Sequence, residues 1–285
     1  MKTRHQSVQW LSPEGLHRLA YREWGAADNP HVLICVHGLT RTSADFETLA
    51  NSLSQTLRII APDMPGRGQS DWLPSGSMYV IPYYIQAMIA LVARANASTL
   101  DWLGTSMGGL IGMGYAGLTG CPIRRLILND VAPTLNLNAL KRIGEYVGKP
   151  VTFNSLAEGR TYVRKIIAPF GPHTQAQFDQ LTDSVLIQKN NHYTLHYDPT
   201  IGDSFRNLTE ATVHAHEDAL WQAYDHITAK TLLIHGELSD LVTPATALEM
   251  TQRGPKAMLK VITGIGHAPT LMTTEQIQII QDFLV

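Results

Sequence analysis

The chain has 285 residues, of which 44% are hydrophobic and 16% charged, and its formal net charge is -2. This composition is typical of a globular protein with a sizeable core and excludes an intrinsically disordered chain. Because 22 basic residues are balanced by 24 acidic ones and no basic block stands out, we predict neither a nucleic acid nor a membrane surface as a partner.

Cysteine content and the first residues bear on the cellular compartment. The two cysteines, Cys35 and Cys121, are too few for a disulfide framework in a chain of this length. Residues 1–15 lack the apolar centre of a signal peptide, and no apolar stretch is long enough to cross a bilayer. We therefore expect a cytoplasmic protein.

Strand and helix patterns alternate along most of the chain. A hairpin is predicted over 7–12 and 17–24, and apolar runs of β-forming residues predict strands over 31–37, 57–63, 99–104, 123–129, 231–236 and 257–262. Helical patterns cover 44–53, 83–96, 107–118, 246–253 and 275–284. This alternation predicts an α/β fold in which a mostly parallel central sheet has helices on both faces.

The stretch from about 131 to 224 interrupts this alternation. It is more polar, it has helical patches over 137–146, 156–167 and 174–187, and it contains no fully apolar strand. We interpret it as a helical insertion between two core strands. The predicted domains are therefore a core formed by residues 1–131 and 225–285, and a helical cap formed by residues 132–224.

The sequence Gly104-Thr105-Ser106-Met107-Gly108 fits the G-x-S-x-G pattern of a nucleophile elbow. It follows a predicted strand and opens a predicted helix, which is the context that this motif requires. A serine at this sharp turn stands above the sheet, close to the unpaired N–H groups of the helix N-terminus. Ser106 is therefore the candidate nucleophile.

Two further candidates follow other core strands. Asp240 comes after the strand over 231–236, and His267 comes after the strand over 257–262. Serine needs a base with a pKa near 7, and the base needs an acid that fixes its tautomer. The chain order Ser106, Asp240, His267 is the order expected for such a triad in this kind of sheet. The backbone N–H groups of Leu39 and Met107 are predicted to form the oxyanion hole.

These motifs together resemble the α/β-hydrolase family, and in particular capped, esterase-like serine hydrolases. The resemblance covers nearly the whole chain and rests on the segments HG, DMPGRGQSD, GTSMGG, GELSD and GIGH. It implies Asp240 as the catalytic acid and a variable cap that shapes the substrate pocket. In some relatives the acid follows the preceding strand, so Asp130 is the alternative, and Glu237 is a third candidate.

The predicted reaction is hydrolysis of an ester-type acyl bond of a small molecule through an acyl-enzyme, with no metal and no organic cofactor. A C–C bond hydrolase of ring-fission products, a lactonase or an acyltransferase would use the same triad, and a non-catalytic binding protein of the same fold is a further alternative. Arg41 lies near the predicted pocket mouth and is a candidate ligand for a substrate carboxylate, although a solvated surface arginine is the alternative interpretation.

Two other motifs match sites that the context disfavours. The glycines of 112–117 match G-x-G-x-x-G but lie inside the predicted helix, where we expect them to allow close approach to the sheet. His214, His216 and Asp218 match part of a two-zinc motif, but they lie on a predicted helix and Ala219 replaces the next histidine.

Overall fold

The structure of the protein, a computed structural model, describes residues 2–206 and 208–285. The first part of the chain alternates strands with helices as predicted. Its strands are β1 (Arg4–Ser12), β2 (Gly15–Trp24), β3 (His31–Val36), β4 (Arg58–Pro62), β5 (Thr99–Thr105) and β6 (Ile123–Asn129), and its helices are α1 (Glu47–Leu53), α2 (Ile81–Ala95) and α3 (Met107–Ala116). None of the helices in the described ranges is both long and apolar enough to span a bilayer.

The segment between β6 and the next core strand contains helices and a small sheet. In chain order it comprises α4 (Leu137–Gly144), β7 (Thr152–Phe153), α5 (Leu156–Ile167), α6 (Gln175–Asp183), β8 (Leu186–Lys189), β9 (His192–Leu195), α7 (Asp203–Arg206) and α8 (Glu210–Asp225). The three strands form an antiparallel sheet in the order β7-β9-β8. We call residues 132–224 the insertion. The insertion is thus largely helical, and its small sheet is a feature that the sequence did not predict.

The chain ends with β10 (Lys230–Gly236), α9 (Pro244–Met250), β11 (Met258–Ile262) and α10 (Thr274–Leu284). The central sheet has eight strands in the order β1-β2-β4-β3-β5-β6-β10-β11. All its neighbouring strands from β4 to β11 are parallel, whereas β1 and β2 add to the edge as an antiparallel hairpin. The predicted mostly parallel sheet is confirmed.

Helices cover both faces of the sheet. Side chains alternate between the two faces along each strand, so each buried strand contributes to two cores. On β3, Val32, Ile34 and Val36 belong to a core that includes buried residues of α2, α3 and α8, whereas Leu33 and Cys35 belong to a second core that includes α1 and α10. This double burial explains the uninterrupted apolar strand sequences. It also leaves the carboxyl ends of the parallel strands as the edge at which polar loop residues collect.

The insertion has a small apolar core of its own, and it also packs on the main domain. Phe153, Val163, Ile167 and Leu181 cluster there with Met272 from the loop before α10. The Gly266 N–H of the loop that carries His267 donates to the Pro169 carbonyl at 2.8 Å. The insertion therefore lies directly against the loops at the carboxyl edge of the sheet.

Candidate active site

Ser106 occupies a strained turn between β5 and α3. Its φ of 51° and ψ of -116° lie in a region that residues other than glycine rarely adopt. The turn is possible because the residues two positions before and after Ser106 are glycines. A Cβ on Gly104 would lie 2.2 Å from the Gly108 carbonyl oxygen, and a Cβ on Gly108 would lie 2.1 Å from the Val36 carbonyl oxygen. The G-x-S-x-G pattern is therefore a steric requirement of this turn.

A hydrogen-bonded chain runs from Ser106 through His267 to Asp130. The Ser106 Oγ lies 3.0 Å from the His267 Nε2, and the His267 Nδ1 lies 2.8 Å from the Asp130 Oδ2. Because a carboxylate can only accept, the Nδ1 carries the proton and the Nε2 accepts from the serine hydroxyl. This is the arrangement by which a histidine removes a proton from a serine nucleophile.

Asp240 does not take part in this chain, so its prediction as the acid beside the histidine is wrong. Its carboxylate receives a hydrogen bond at 2.5 Å from the Nη2 of Arg142, a residue of α4. Its side chain is 53% exposed, whereas that of Asp130 is fully buried. The loop after β10 turns back on itself, with the Ser239 N–H bonded to the Gly236 carbonyl, and Asp240 points towards the insertion.

Asp130, the alternative acid, directly follows β6, and its backbone N–H pairs with the Ile234 carbonyl of β10 at 2.7 Å. Its φ of 51° turns the chain immediately after the strand. Glu237, the third candidate, accepts a hydrogen bond from the Gly264 N–H instead. Of the three acids that the sequence suggests, Asp130 is the one that contacts His267.

The Asp130 carboxylate receives hydrogen bonds on both oxygens. Its Oδ1 accepts from the His235 Nδ1 and from the Gly236 N–H, both at 2.9 Å, while its Oδ2 accepts from His267. Burial by itself raises the pKa of Asp130, but the hydrogen bonds from His235 and His267 outweigh it and lower the pKa to about 2. The group therefore stays ionised at neutral pH, as an acid that orients a histidine must.

Two further buried residues hold this geometry and were not found from the sequence. His235 lies on β10, and its Nδ1 donates to Asp130. Its Nε2 is buried and has no hydrogen-bond partner among the described residues, so the bond to Asp130 is the one that its ring makes there. Asn129 Nδ2 donates to the Thr105 hydroxyl at 3.0 Å and to the Pro269 carbonyl at 2.8 Å. Asn129 thus joins the serine turn to the histidine loop. Both residues lie at strand ends next to candidate acids, and this position is the sequence feature from which their role could have been predicted.

The loop after β3 is fixed by buried polar side chains. The His37 Nδ1 donates to the Gly38 carbonyl at 2.7 Å, and its Nε2 accepts from the Met64 N–H at 2.9 Å. Arg67 is fully buried and donates from Nε to the Leu39 carbonyl at 2.8 Å. Asp63 ties the same region by accepting from the Ser43 N–H at 2.8 Å. Asp63 and Arg67 therefore fix the loop that carries Leu39 to their own loop after β4.

Ser106 and His267 open into a cavity of about 740 Å³, within the range of small-molecule sites. Leu39 and Met107, the predicted oxyanion-hole residues, line it beside Ser106. Helix α3 makes its first backbone hydrogen bonds to Ser106 from Gly109 and Leu110. The Met107 N–H thus belongs to the unpaired first turn of the helix. Much of the remaining wall is apolar and comes from the insertion, including Leu135, Ile143, Phe170, Phe205, Val213 and Leu220.

Comparison with known proteins identifies the family of this chain. Residues 27–272 match the family model described as serine aminopeptidase, S33. The chain belongs to the serine aminopeptidase S33 family. It is 45% identical over 280 residues to the 3-hydroxybutyrate-oligomer hydrolase of Cupriavidus necator, covering 97% of this chain and 96% of that relative.

Two further relatives of this S33-family chain are less similar to it. It is 24% identical to the 2-hydroxy-6-oxo-2,4-heptadienoate hydrolase of Pseudomonas putida over 90% of each chain. A solved α/β hydrolase from Novosphingobium aromaticivorans superposes with a TM-score of 0.85 at 30% identity, covering 100% of this chain and 99% of that one. The S33-family chain thus has the α/β-hydrolase fold and is an esterase-like hydrolase, as the sequence predicts.

Arg41 of the S33-family chain lines the cavity, but its guanidinium is already used. Its Nε and Nη2 donate to the Asp45 carboxylate at 2.7 and 2.6 Å, and the Nη2 also donates to the Leu181 carbonyl of α6 at 2.8 Å. Only 7% of the residue is exposed. Neither the substrate-carboxylate role nor the solvated-surface interpretation fits this geometry, because Arg41 fastens the insertion to the core.

The two motifs that the context disfavoured lie on helices. Gly112 faces Trp102 of β5, and a Cβ there would lie 2.4 Å from the indole Nε1, so close helix–sheet approach is confirmed at this glycine. Gly114 faces Ile85 of α2 instead, and Gly117 faces the Ala223 backbone of α8. His214 and His216 lie on α8, and His214 Nδ1 is 3.4 Å from the Glu217 carboxylate.

Proposed function

We propose that this chain hydrolyses the ester bonds of short 3-hydroxybutyrate oligomers, with Ser106 as nucleophile, His267 as general base and Asp130 as the acid that orients the histidine. The observation that carries the proposal is the hydrogen-bonded chain Ser106–His267–Asp130 at the base of a largely apolar cavity. The name of the 45% identical relative supports the substrate class, because that protein is a 3-hydroxybutyrate-oligomer hydrolase.

The proposed reaction has two halves. The Ser106 Oγ attacks the ester carbonyl carbon while its proton passes to the His267 Nε2. The C–O bond then breaks, and the imidazolium returns the proton to the leaving alkoxide, so one hydroxy acid departs as an alcohol. Water next attacks the acyl-Ser106 carbonyl, His267 takes its proton and returns it to the Ser106 oxygen, and the second carboxylic acid leaves.

Fixed groups of the protein stabilise the charges that develop in this reaction. The N–H groups of Leu39 and Met107 are proposed to hold the oxyanion, and removing one such donor costs about 2.7–4 kcal/mol of barrier in this type of site. The imidazolium that forms on His267 is stabilised by the Asp130 carboxylate, which accepts the hydrogen bond from its Nδ1–H. The insertion is proposed to act as a cap, because its side chains form much of the cavity wall above Ser106.

The proposal is tested by product analysis with three substrate types. Wild-type protein is incubated with the 3-hydroxybutyrate trimer, with a 2-hydroxy-6-oxo-dienoate and with an aminoacyl p-nitroanilide. We expect release of 3-hydroxybutyrate from the trimer, and Ser106→Ala lowers kcat by a factor on the order of 10⁴ or more. Ser52→Ala is the matched control, because Ser52 is an exposed serine of α1 outside the cavity.

Each alternative outcome has a defined meaning. Turnover of the dienoate but not of the trimer would replace the ester assignment by C–C bond hydrolysis with the same three residues. Turnover of the anilide alone would assign peptide hydrolysis. Trimer hydrolysis that persists in Ser106→Ala would contradict the nucleophile assignment.

A further inference from the structure

The cavity is largely apolar, yet two arginines line it, Arg41 from the core and Arg142 from α4 of the insertion. The guanidinium of Arg41 is committed to Asp45 and to the Leu181 carbonyl. Arg142 has one side-chain hydrogen-bond partner among the described residues, the Oδ2 of Asp240, and that bond uses one of the five N–H donors of a guanidinium. Of the two arginines that line the cavity in the described part of the chain, Arg142 is therefore the one with N–H donors left for a ligand.

The ion pair between Arg142 and Asp240 is easily exchanged. The two side chains are 48% and 53% exposed, and ion pairs in such positions contribute little to stability because water competes for both charges. A substrate carboxylate that replaces Asp240 would thus cost the protein little. It would also be able to bind the planar guanidinium through two parallel hydrogen bonds.

A second polar group faces the same part of the cavity. Tyr146 lies just past the end of α4 and lines the cavity together with Arg142 and Ile143. Burial raises the pKa of Tyr146 to about 12, so the phenol stays protonated and can donate a hydrogen bond. The Tyr146 N–H donates to the Ile143 carbonyl at 3.2 Å, which keeps Tyr146 on the turn that follows Arg142.

We propose that Arg142 and Tyr146 form a subsite that binds the terminal carboxylate of an oligoester substrate, which displaces Asp240 from Arg142. The inference rests on the proposed function. A 3-hydroxybutyrate oligomer consists of neutral ester units with a single carboxylate at one end. In an apolar cavity that carboxylate needs a charged partner, whereas the ester units do not. The subsite therefore selects oligomers with a free carboxylate and fixes which end of the oligomer lies next to α4.

The test compares kcat/KM for the 3-hydroxybutyrate trimer with that for its carboxyl methyl ester. In wild type we expect the free acid to be preferred by about tenfold or more, which is the effect of one charge-assisted hydrogen-bonded pair. Arg142→Gln brings the acid-to-ester ratio down to about one, whereas Arg142→Lys keeps an intermediate ratio because it keeps the charge but loses the planar fork. Asp240→Asn lowers KM for the free acid, since the competing carboxylate is gone.

Arg160→Gln is the matched control, because Arg160 is a paired arginine of the same insertion that does not line the cavity. It should keep the wild-type ratio. Equal kcat/KM values for acid and methyl ester in wild type would overturn the subsite and leave the proposed function intact. An unchanged ratio in Arg142→Gln would also overturn it. Hydrolysis of neither trimer would overturn the subsite together with the proposed function.

Discussion

At the scale of single residues, His37 is a neutral histidine that holds two loops of the site together. It donates to the Gly38 carbonyl and accepts from the Met64 N–H, so a second proton would remove the acceptor that Met64 uses. The residue is fully buried, and burial lowers its pKa to about 4 despite the opposing effects of the Gly38 hydrogen bond and of nearby Asp63.

We predict that His37 makes folding stability depend on pH between about 6.5 and 4. As pH falls through 6.5, the unfolded chain binds a proton at His37 that the folded chain does not bind until about pH 4. The free energy of unfolding should therefore drop by up to about 3 kcal/mol over this interval. Urea titrations at several pH values compare wild type with His37→Asn. The variant is less stable at pH 7 but lacks this part of the slope, and an equal slope in both proteins would contradict the assignment.

The identity of the acid shows what the residue pattern alone could and could not predict. Ser106 and His267 were found because a strand–turn–helix motif and a post-strand histidine identify them. Asp130 and Asp240 follow neighbouring parallel strands, so chain order does not distinguish them. The choice depends on backbone conformation: Asp130 turns at once with φ 51°, whereas the loop to Asp240 turns towards Arg142. Aspartate is among the residues that tolerate such a φ, but one sequence does not reveal that it is used.

At the scale of secondary structure, the serine turn requires close contact between α3 and the sheet. Gly108 packs against the Val36 backbone of β3, which is rigid, whereas Gly114 on the same helix faces the flexible end of the Ile85 side chain. A Cβ would lie 2.1 Å from the Val36 carbonyl oxygen at the first position and 3.0 Å from the Ile85 Cδ1 at the second. An added Cβ therefore meets rigid backbone at Gly108 but movable side-chain atoms at Gly114.

We predict opposite outcomes for alanine at these two positions. Gly108→Ala pushes α3 away from β3, so thermal unfolding should show a loss of about 1–3 kcal/mol or more, together with lower kcat. Gly114→Ala removes backbone entropy from the unfolded chain and needs only small shifts of the Ile85 and Ile81 side chains, so its stability should stay close to wild type or rise slightly. Equal melting temperatures for the two variants would contradict this account of the packing.

The apolar strands and the long helices were predictable because their burial imposes regular periodicity. The small sheet of the insertion was not. Its strands β7, β8 and β9 have two to four residues each, and most of their side chains are at least partly exposed. Such strands lack the apolar run or the sustained alternation on which a sequence-based prediction depends.

At the scale of the whole molecule, the insertion is fastened to the core by contacts around Arg41. This guanidinium joins Asp45 of the core to the Leu181 carbonyl of α6. Nearby, His173 Nε2 of the insertion lies 2.9 Å from the Thr270 hydroxyl, three residues beyond His267. The arrangement of the insertion and the geometry of the loop that carries His267 are therefore coupled.

We predict that Arg41→Gln loosens the insertion while the central sheet stays folded, because the neutral side chain cannot hold both partners. Limited proteolysis with mass spectrometry should show faster cleavage within residues 132–224 and unchanged protection of the core, together with a higher KM. Arg22→Gln, which breaks a surface pair with Glu47, is the control and should leave cleavage unchanged. Cleavage of Arg41→Gln at the wild-type rate would contradict the fastening role.

The central claim, that Asp130 acts through His267 on Ser106, is tested most directly by kcat for one neutral ester with Asp130→Asn and Asp240→Asn side by side. Asparagine also tolerates the positive φ at position 130, so the turn is kept while the charge is lost. We expect Asp130→Asn to lower kcat by a factor on the order of 10³–10⁴ and Asp240→Asn to keep most of it. A large loss in Asp240→Asn with near-normal turnover in Asp130→Asn would contradict the account.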